Sequence, residues 1–406
     1  MRSIATFGLM IATALGVGGL FGNGAAHAAA ETGADPAILS LIKTFHQMPG
    51  CAQAGIALGL NVDGRETVYT SGSVSYADGR SEAVNANTAF QIGSITKTYT
   101  TTVYGQLVQE GKLKPDQPVR DLLPPGTQVP TFKDPVTGEV VEITLDELAH
   151  HTSGLPRQQA IGTSPFTDDL MLSSLDRVTL KTQPGTKYLD SQLGVALLAK
   201  AIEHATGKPI AELVAERVTR PLHLDHTRFF NASAESDARL PLGYDRANQP
   251  VERMSIGWPA YEGSGALVST LSDMMTFMAA NMGRGESAGP ISSIRPLLYD
   301  WKTVPCAIPQ EGAPGCTTID TGLGWTKLTS KVPGLSMIWK NGVTRGYSAW
   351  IGFVAPEDRG PSKAGVIALA NQSSCPIGPM AGCALASVSG LPLSAQCQPP
   401  RQGQTQ

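Results

Sequence analysis

Three textures follow one another along the chain. Near its start, Asp35-Pro36 leads into Ile38, Leu39, Leu41, Ile42 and Phe45, an apolar face at helical spacing behind a helix-start signal, which predicts a packing helix. Next, Ala54 to Leu60 and Glu66 to Thr70 flank Asp63-Gly64, residues that tolerate positive φ, and this predicts a β-hairpin. The C-terminal third repeats that texture, with short strands expected at Gly324 to Thr329, Leu335 to Trp339, Tyr347 to Phe353 and Gly365 to Ala370 between Pro, Gly or Asn turns. Between the two β-rich ends, from Ser94 to about Gly257, the chain reads as helical patches and loops, periodic at Leu193 to Ile202 and at Ile210 to Val218.

Strands at both ends around a helical middle predict an α/β (α+β) fold, in which one antiparallel sheet flanked by helices is assembled from residues 31–97 and 257–397. Residues 98–256 would form a mainly helical insertion lobe, and the cleft between the lobes is the natural place for a small-molecule site. No repeat of fixed period is present. The Gln-, Pro- and Gly-rich tail at 398–406 is expected to be disordered.

Composition narrows the partners. Of 406 residues 41% are hydrophobic and 16% charged, a globular rather than disordered balance, and a net charge of -3 gives no general attraction to nucleic acid. Residues 1–30 carry Arg2, an apolar run from Ile4 to Phe21 and small residues around Ala26-His27-Ala28, the layout of an export signal cleaved after Ala28 or Ala30. The expected protein is therefore exported, periplasmic or secreted, with no stable membrane span after cleavage. Six cysteines, at 51, 306, 316, 375, 383 and 397, all lie beyond that signal, and an even number in an exported chain predicts disulfides. Cys306 with Cys316 and Cys375 with Cys383 each bracket Pro and Gly and are expected as stapled loops, leaving Cys51 to meet Cys397. No C-x-x-C pair occurs and no cysteine sits beside a His at ligand spacing, so neither a metal nor another cofactor is inferred.

Candidate chemistry begins at Ser94-Ile95-Thr96-Lys97. A serine hydroxyl is a poor nucleophile without a base in hydrogen-bond reach, and a helix sets residues i and i+3 on one face. Ser40-Leu41-Ile42-Lys43 has the same spacing. Position separates the two: Ser40 lies mid-helix, whereas Ser94 follows Ala89-Phe90-Gln91-Ile92-Gly93 at what reads as a helix start, where free amide N–H groups and positive potential favour an oxyanion. His150 and His151 are adjacent, point in different directions and are read as structural. The glycines at 16, 18, 19 and 22 precede any strand and form no dinucleotide loop.

Further motifs follow in order: Leu148-Ala149-His150-His151-Thr152-Ser153-Gly154-Leu155-Pro156; Pro184-Gly185-Thr186 before a Leu-Leu helix; Gly263-Ser264-Gly265-Ala266-Leu267-Val268-Ser269-Thr270 before Asp273-Met274-Met275; and Lys340-Asn341-Gly342 before a strand. With Phe90 to Lys97, this ordered set resembles the class C β-lactamase and penicillin-binding serine hydrolase family over roughly Ala54 to Ala370, and looks closest to its periplasmic D-alanyl-D-alanine carboxypeptidase and endopeptidase branch. The resemblance implies a β-lactamase/transpeptidase-like fold, Ser94 as acylated nucleophile, Lys97 as base or proton relay, and the amides of Ser94 and Val343 as an oxyanion hole. It also implies that Lys340, on an edge strand with Asn341 and Gly342, offers a cation to the carboxylate that D-Ala peptides and β-lactams carry.

The chain departs from the family at one motif. Counted from Pro184-Gly185-Thr186 without gaps, the Tyr-x-Asn triplet falls on Asp190-Ser191-Gln192, so a carboxylate replaces the phenol while Gln192 keeps an amide for a substrate carbonyl. An ionised Asp190 near Lys97 and Lys340 is expected to hold Lys97 protonated and make both poor bases. A two-residue shift would instead make Tyr188-Leu189-Asp190 the triplet, with Tyr188 as the phenol. Four functions stay open: a D,D-peptidase on cell-wall peptides, a class C-like β-lactamase, an esterase on small acyl esters, and a binding protein that kept the fold after losing the tyrosine.

Overall fold

The computed structural model describes residues 35–397 apart from 159–165, 231–238, 252–258, 285–288, 299, 308–316, 330–335, 357–359 and 391–396. The expected signal at 1–30, the tail at 398–406 and Cys316 lie outside the described residues.

Helix α1 (Pro36–His46) starts where Asp35 caps it, the Asp35 carboxylate accepting from the Ala37 amide at 2.8 Å. Ile38, Ile42 and Phe45 form its buried stripe, and Ser40 and Lys43 lie exposed on the solvent side. Strands β1 (Ile56–Val62) and β2 (Arg65–Ser71) make the expected hairpin, turning at Asp63 and Gly64 with φ of 51° and 87°. Consecutive positive φ values give the two-residue turn that matches the right-handed twist of the flanking strands.

The C-terminal third supplies β3 (Lys302–Pro305), β4 (Thr318–Thr321), β5 (Thr326–Leu328), β6 (Met337–Val343), β7 (Ser348–Val354) and β8 (Ala364–Ala370). They join β1 and β2 in one eight-stranded antiparallel sheet of order β3-β4-β5-β6-β7-β8-β1-β2. Its β8–β1 pair therefore joins the early and late parts of the chain, with Ile56 opposite Ala370 and Val62 opposite Ala364. The period of two sorts residues to faces. Ile56, Leu58, Leu60, Val366 and Ala368 pack with α1 and the C-terminal helix (Ile377–Val388), while Ala57, Ile367 and Leu369 join the core of the helical middle. On that second face lie α2 (Thr96–Gln109), α3 (Gln192–Thr206) and α4 (Leu271–Asn281). The second periodic stretch is α-helical only over Ile210–Val214, then passes into a π-helical turn, Ala215–Thr219.

Helix α2 runs unbroken from the first signature serine into the interior and is buried from Thr96 to Leu107 despite its threonines. Their hydroxyls are hydrogen-bonded, some within the turn before them, Thr98 donating to the Ile95 carbonyl at 2.8 Å and Thr102 to the Thr98 carbonyl at 2.7 Å, and others across the core, Thr100 donating to the Gly263 carbonyl at 2.6 Å and Thr101 to the Leu323 carbonyl at 2.9 Å. No described helix is long and apolar enough to cross a membrane.

The disulfides correct the sequence expectation. Cys51 pairs with Cys375 and Cys383 with Cys397, so the expected Cys375–Cys383 and Cys51–Cys397 bonds do not form. The sheet register is the reason: β1 and β8 are antiparallel with Ile56 opposite Ala370, and the same register continued five residues outward sets Cys51 against Cys375. Cys306 is also disulfide-bonded. Because cross-linking stabilises more when it closes a longer loop, the Cys51–Cys375 bond, separated by 324 residues, should matter more than Cys383–Cys397, separated by 14. Replacing Cys51 and Cys375 by Ser should remove roughly 3–5 kcal/mol, and replacing Cys383 and Cys397 about 2–3 kcal/mol, measured as urea unfolding free energies. Equal losses would contradict this ranking.

Candidate active site

Ser94 sits in a single 3-10 turn, Gly93–Ile95, that opens α2. The turn is anchored from both sides. The Ile92 amide donates to the Leu267 carbonyl at 3.0 Å, the Thr96 hydroxyl donates to the Gly93 carbonyl at 2.7 Å, and Thr96 Oγ1 accepts from the Leu267 amide at 3.0 Å. Leu267–Thr270 in turn pairs with Ala89–Gln91, so the segment before Ser94 is a strand end held in a small three-stranded sheet. Lys97, one turn further, is 1% exposed, and its Nζ is hydrogen-bonded to Ser94 Oγ at 2.8 Å.

Lys340 lies on β6, and here the edge-strand expectation is corrected. β6 is paired on both sides at Met337–Trp339, and its open edge begins only at Lys340, where β5 has ended. That open stretch abuts the Ser94 turn. A Cβ at Gly342 would lie 1.9 Å from the Ile92 carbonyl oxygen and 2.9 Å from the Ser94 amide nitrogen, and one at Gly93 would lie 2.9 Å from the Val343 nitrogen. Two glycines thus allow two backbones to touch and bring the Ser94 and Val343 amides beside each other. What approaches the strand at Gly342 is the protein's own turn.

Asp190 joins the two lysines. Its Oδ1 is 3.1 Å from Lys97 Nζ and its Oδ2 is 3.0 Å from Lys340 Nζ, with both lysine side chains at most 2% exposed. The residue is delivered by the chain entering α3, whose Ser191 caps the helix by accepting from the Gly194 amide at 2.8 Å. Burial alone would push the Asp190 carboxyl up, but the ammonium groups of Lys340 and Lys97 outweigh it and hold Asp190 well below the usual carboxylate range. For Lys97 the balance goes the other way. Burial lowers its ammonium to about 8, against the opposing pull of Asp190 and with help from the Lys340 charge. Asp190 thus acts on Lys97 in the expected direction, favouring the ammonium, while desolvation works against it.

Tyr188 is buried next to this cluster without joining it. Its amide donates to the Pro305 carbonyl at 2.8 Å, its carbonyl accepts from Ala307 at 2.9 Å, and its ring meets the His151 ring edge-on at 5.7 Å. Burial, then Asp190, raises its phenol well above the ordinary value. Gln192 lines the Ser94 cleft, and its Oε1 accepts from Gln158 Nε2. Asn341 and Val343 are exposed.

The paired histidines point apart, as expected, but only His150 is remote from the site: its Nδ1 contacts the Asp146 carbonyl at 2.9 Å. His151 Nδ1 lies 4.0 Å from Asp190 Oδ1 and accepts from the Ser191 amide at 3.3 Å. Burial lowers His151 to about 3, Asp190 opposing, so it stands behind Asp190 as a neutral ring. Sequence reading missed this position, and Gln158 as well. A cleft of about 740 Å³, counted to its open mouth, gives access to Ser94 between Gln192, Tyr261, Val343 and Arg345.

A serine bonded to a buried lysine at the head of a helix, beside a sheet strand that presents a second lysine, is an arrangement suited to an acyl-transferring serine hydrolase. Comparison with known proteins agrees. The beta-lactamase family description matches residues 41–376. The D-alanyl-D-alanine-carboxypeptidase/endopeptidase AmpH of Escherichia coli (strain K12) is 28% identical over 323 residues, covering 78% of this chain and 80% of AmpH. A beta-lactamase of Pseudomonas fluorescens is 26% identical over 341 residues, covering 79% and 89%. The crystal structure of a beta-lactamase/D-alanine carboxypeptidase from Yersinia pestis complexed with citrate has the same fold, with a TM-score of 0.67 at 22% identity over 87% of this chain and 97% of that one. The chain belongs to the beta-lactamase family and is a serine hydrolase.

Two outcomes follow from the geometry. Gly342→Ala should push β6 away from the Ser94 turn and lower acylation by a reactive β-lactam at least about a hundredfold. Lys97, followed by NMR with labelled lysine, should titrate near 8, and Asp190→Asn, which removes the group holding its charge, should move that midpoint down. A midpoint near the ordinary 10.5 would contradict the desolvation argument.

Proposed function

We propose that the protein is a D,D-carboxypeptidase/endopeptidase of peptidoglycan peptides, working through an acyl-Ser94 intermediate. The observation that carries the reading is the 2.8 Å contact between Ser94 Oγ and a buried Lys97 amine lowered to about 8. Neutral Lys97 takes the Ser94 proton as Oγ attacks the scissile carbonyl, and the amides of Ser94 and Val343 receive the oxyanion. Lys97, now an ammonium, returns its proton to the departing D-Ala amine, and water releases the acyl group from Ser94. Asp190, kept ionised, is a poor proton acceptor, so its part is to orient Lys97 and Lys340 rather than to replace the missing phenol as base. Similarity to AmpH across most of both chains favours the peptidase over an esterase. The disulfides support a mature enzyme that works outside the cytoplasm, in the periplasm.

A second reading, a β-lactamase, is favoured by the Pseudomonas fluorescens relative and shares the acylation step. The two differ in how fast the acyl group leaves. Purified mature protein should release D-Ala from a pentapeptide and gain one penicillin in intact mass, and Ser94→Ala should do neither. Rapid nitrocefin turnover without D-Ala release would select the β-lactamase, and no adduct at all would sink both readings in favour of a binding protein.

The pH profile tests the base. Below about 8 Lys97 is mostly ammonium and cannot accept the serine proton, so the acylation rate should climb with pH and level off above about 8. Lys97→Ala should lower it by roughly 10²–10⁴-fold. A profile flat from pH 6 to 9 would exclude Lys97 as the base.

A further inference from the structure

Each carboxylate oxygen of Asp190 serves a different lysine, so the chain at residue 190 must be held closely if both contacts are to last. A single residue on a separate segment does most of this. The Leu189 amide donates to the His151 carbonyl at 2.8 Å, and the Ser191 amide donates to His151 Nδ1 at 3.3 Å. Asp190 is thereby gripped through both of its neighbours, the imidazole standing in for the second carbonyl that a paired strand would offer. Further out, the Tyr188 amide donates to the Pro305 carbonyl, the Ser191 hydroxyl to the Pro156 carbonyl at 2.7 Å, and the Gln192 amide to the Arg157 carbonyl at 2.9 Å. Those outer bonds set the path of the segment, and the two from His151 set its middle.

The fold bears two penalties to keep a histidine in this place. The short helix Leu145–Ala149 ends with the His151 amide donating to the Leu148 carbonyl at 3.3 Å and the Thr152 amide to the Glu147 carbonyl at 2.8 Å, the bond pair of a Schellman ending. Such an ending puts its first residue beyond the cap in the left-handed region, where glycine is the usual choice, and His151 takes a φ of 58° there. For a residue with a Cβ that conformation is disfavoured by about 1–2 kcal/mol. Its Nε2 is also buried without a hydrogen-bond partner among the described residues. Packing alone accounts for neither, since glycine would relieve the first and an apolar ring the second.

Charge accounts for the imidazole. Because Nδ1 accepts from the Ser191 amide, the neutral ring carries its proton on Nε2. At 4.0 Å, Nδ1 and Asp190 Oδ1 lie beyond hydrogen-bond distance. Burial lowers the ring to about 3, Asp190 opposing and Lys340, Lys97 and His150 assisting, so it stays uncharged. An imidazolium would compete with Lys97 for Oδ1, whereas the neutral ring fixes residue 190 and leaves both its oxygens to the amines. We propose that His151 is the positioning residue that presents Asp190 to Lys97 and Lys340, by holding the amides on either side of it. This assignment rests on the acyl-Ser94 reading and not on the choice of acyl donor.

Glycine and asparagine both tolerate a positive φ, but only asparagine carries an acceptor two bonds from Cβ, where the ring carries Nδ1. The test therefore compares wild type, His151→Gly and His151→Asn, with folding checked by circular dichroism and acylation by benzylpenicillin followed as intact mass against pH. His151→Gly should loosen Asp190 from Lys97, leaving burial and the charges of Lys340 and Arg157, all of which lower the amine. The midpoint of the acylation profile should then fall by about one pH unit, and the plateau rate by roughly 10- to 100-fold. His151→Asn should bring back most of the rate and the wild-type midpoint. In an Asp190→Asn background, His151→Gly should move the midpoint no further. An unmoved midpoint in His151→Gly, equal losses in the two variants, or an added shift on top of Asp190→Asn would overturn the assignment. If benzylpenicillin leaves wild type unmodified, the acyl-Ser94 reading is the one that fails. The Lys97 midpoint, read by NMR with labelled lysine in the unreacted proteins, then decides the role of His151 through the same comparison of variants.

Discussion

Two lysine ammonium groups buried side by side with one carboxylate between them set the terms for the rest of this molecule. Neither lysine is tolerable in such a place alone, because removing a charge from water is opposed by several kcal/mol unless a partner compensates. Asp190 compensates both, and each of the three comes from a different part of the architecture: Lys97 from α2, Lys340 from the open stretch of β6, and Asp190 from the approach to α3. The cluster exists only when sheet and helices are packed together. A single carboxylate shared between two cations also leaves the pair undercompensated, and that shortfall, added to burial, brings the Lys97 amine into a useful range. Asp190 is held as a fixed charge in contact with both amines.

Much of the fold was legible because it follows simple periods. The Asp63-Gly64 hairpin, the stripe of α1 and the strands of the last third all have local causes that a reader of residues can see. Helix α2 was legible only at its start, since the threonine-rich segment after Lys97 shows no apolar face; its burial is tolerated because its hydroxyls find carbonyls nearby in the chain and across the core. The disulfides were misread for a related reason. Short spacing and flanking turns suggested Cys375–Cys383, but pairing follows strand register, and that register joins residues far apart in sequence.

At the site, Ser94 and Lys97 were legible because the helix itself sets their spacing, and the ordered motifs placed Lys340 beside them. The strength of each group was not, because it depends on burial and on how three charges divide their attraction. That Asp190 favours the Lys97 ammonium follows from charge alone, whereas the burial that works against it does not show in the residues. His151 escaped notice because the residues around it give no sign that its ring lies behind Asp190; that follows from a positive φ of 58° at His151 and the path of the chain into α3.

The pairing of β1 with β8 has a consequence for how the protein comes into being. Because residue 56 finds its partner at residue 370, the seam between β8 and β1 stays open while everything between them emerges. The early hairpin must persist as an isolated pair of strands, a marginal structure on its own, until the last strand arrives. Contacts this distant in sequence fold slowly, and for that interval β1 presents an unpaired edge rich in Ile and Leu, open to any extended segment it meets. The newborn chain is thus vulnerable to association until Ala364–Ala370 has been made and can cover that edge.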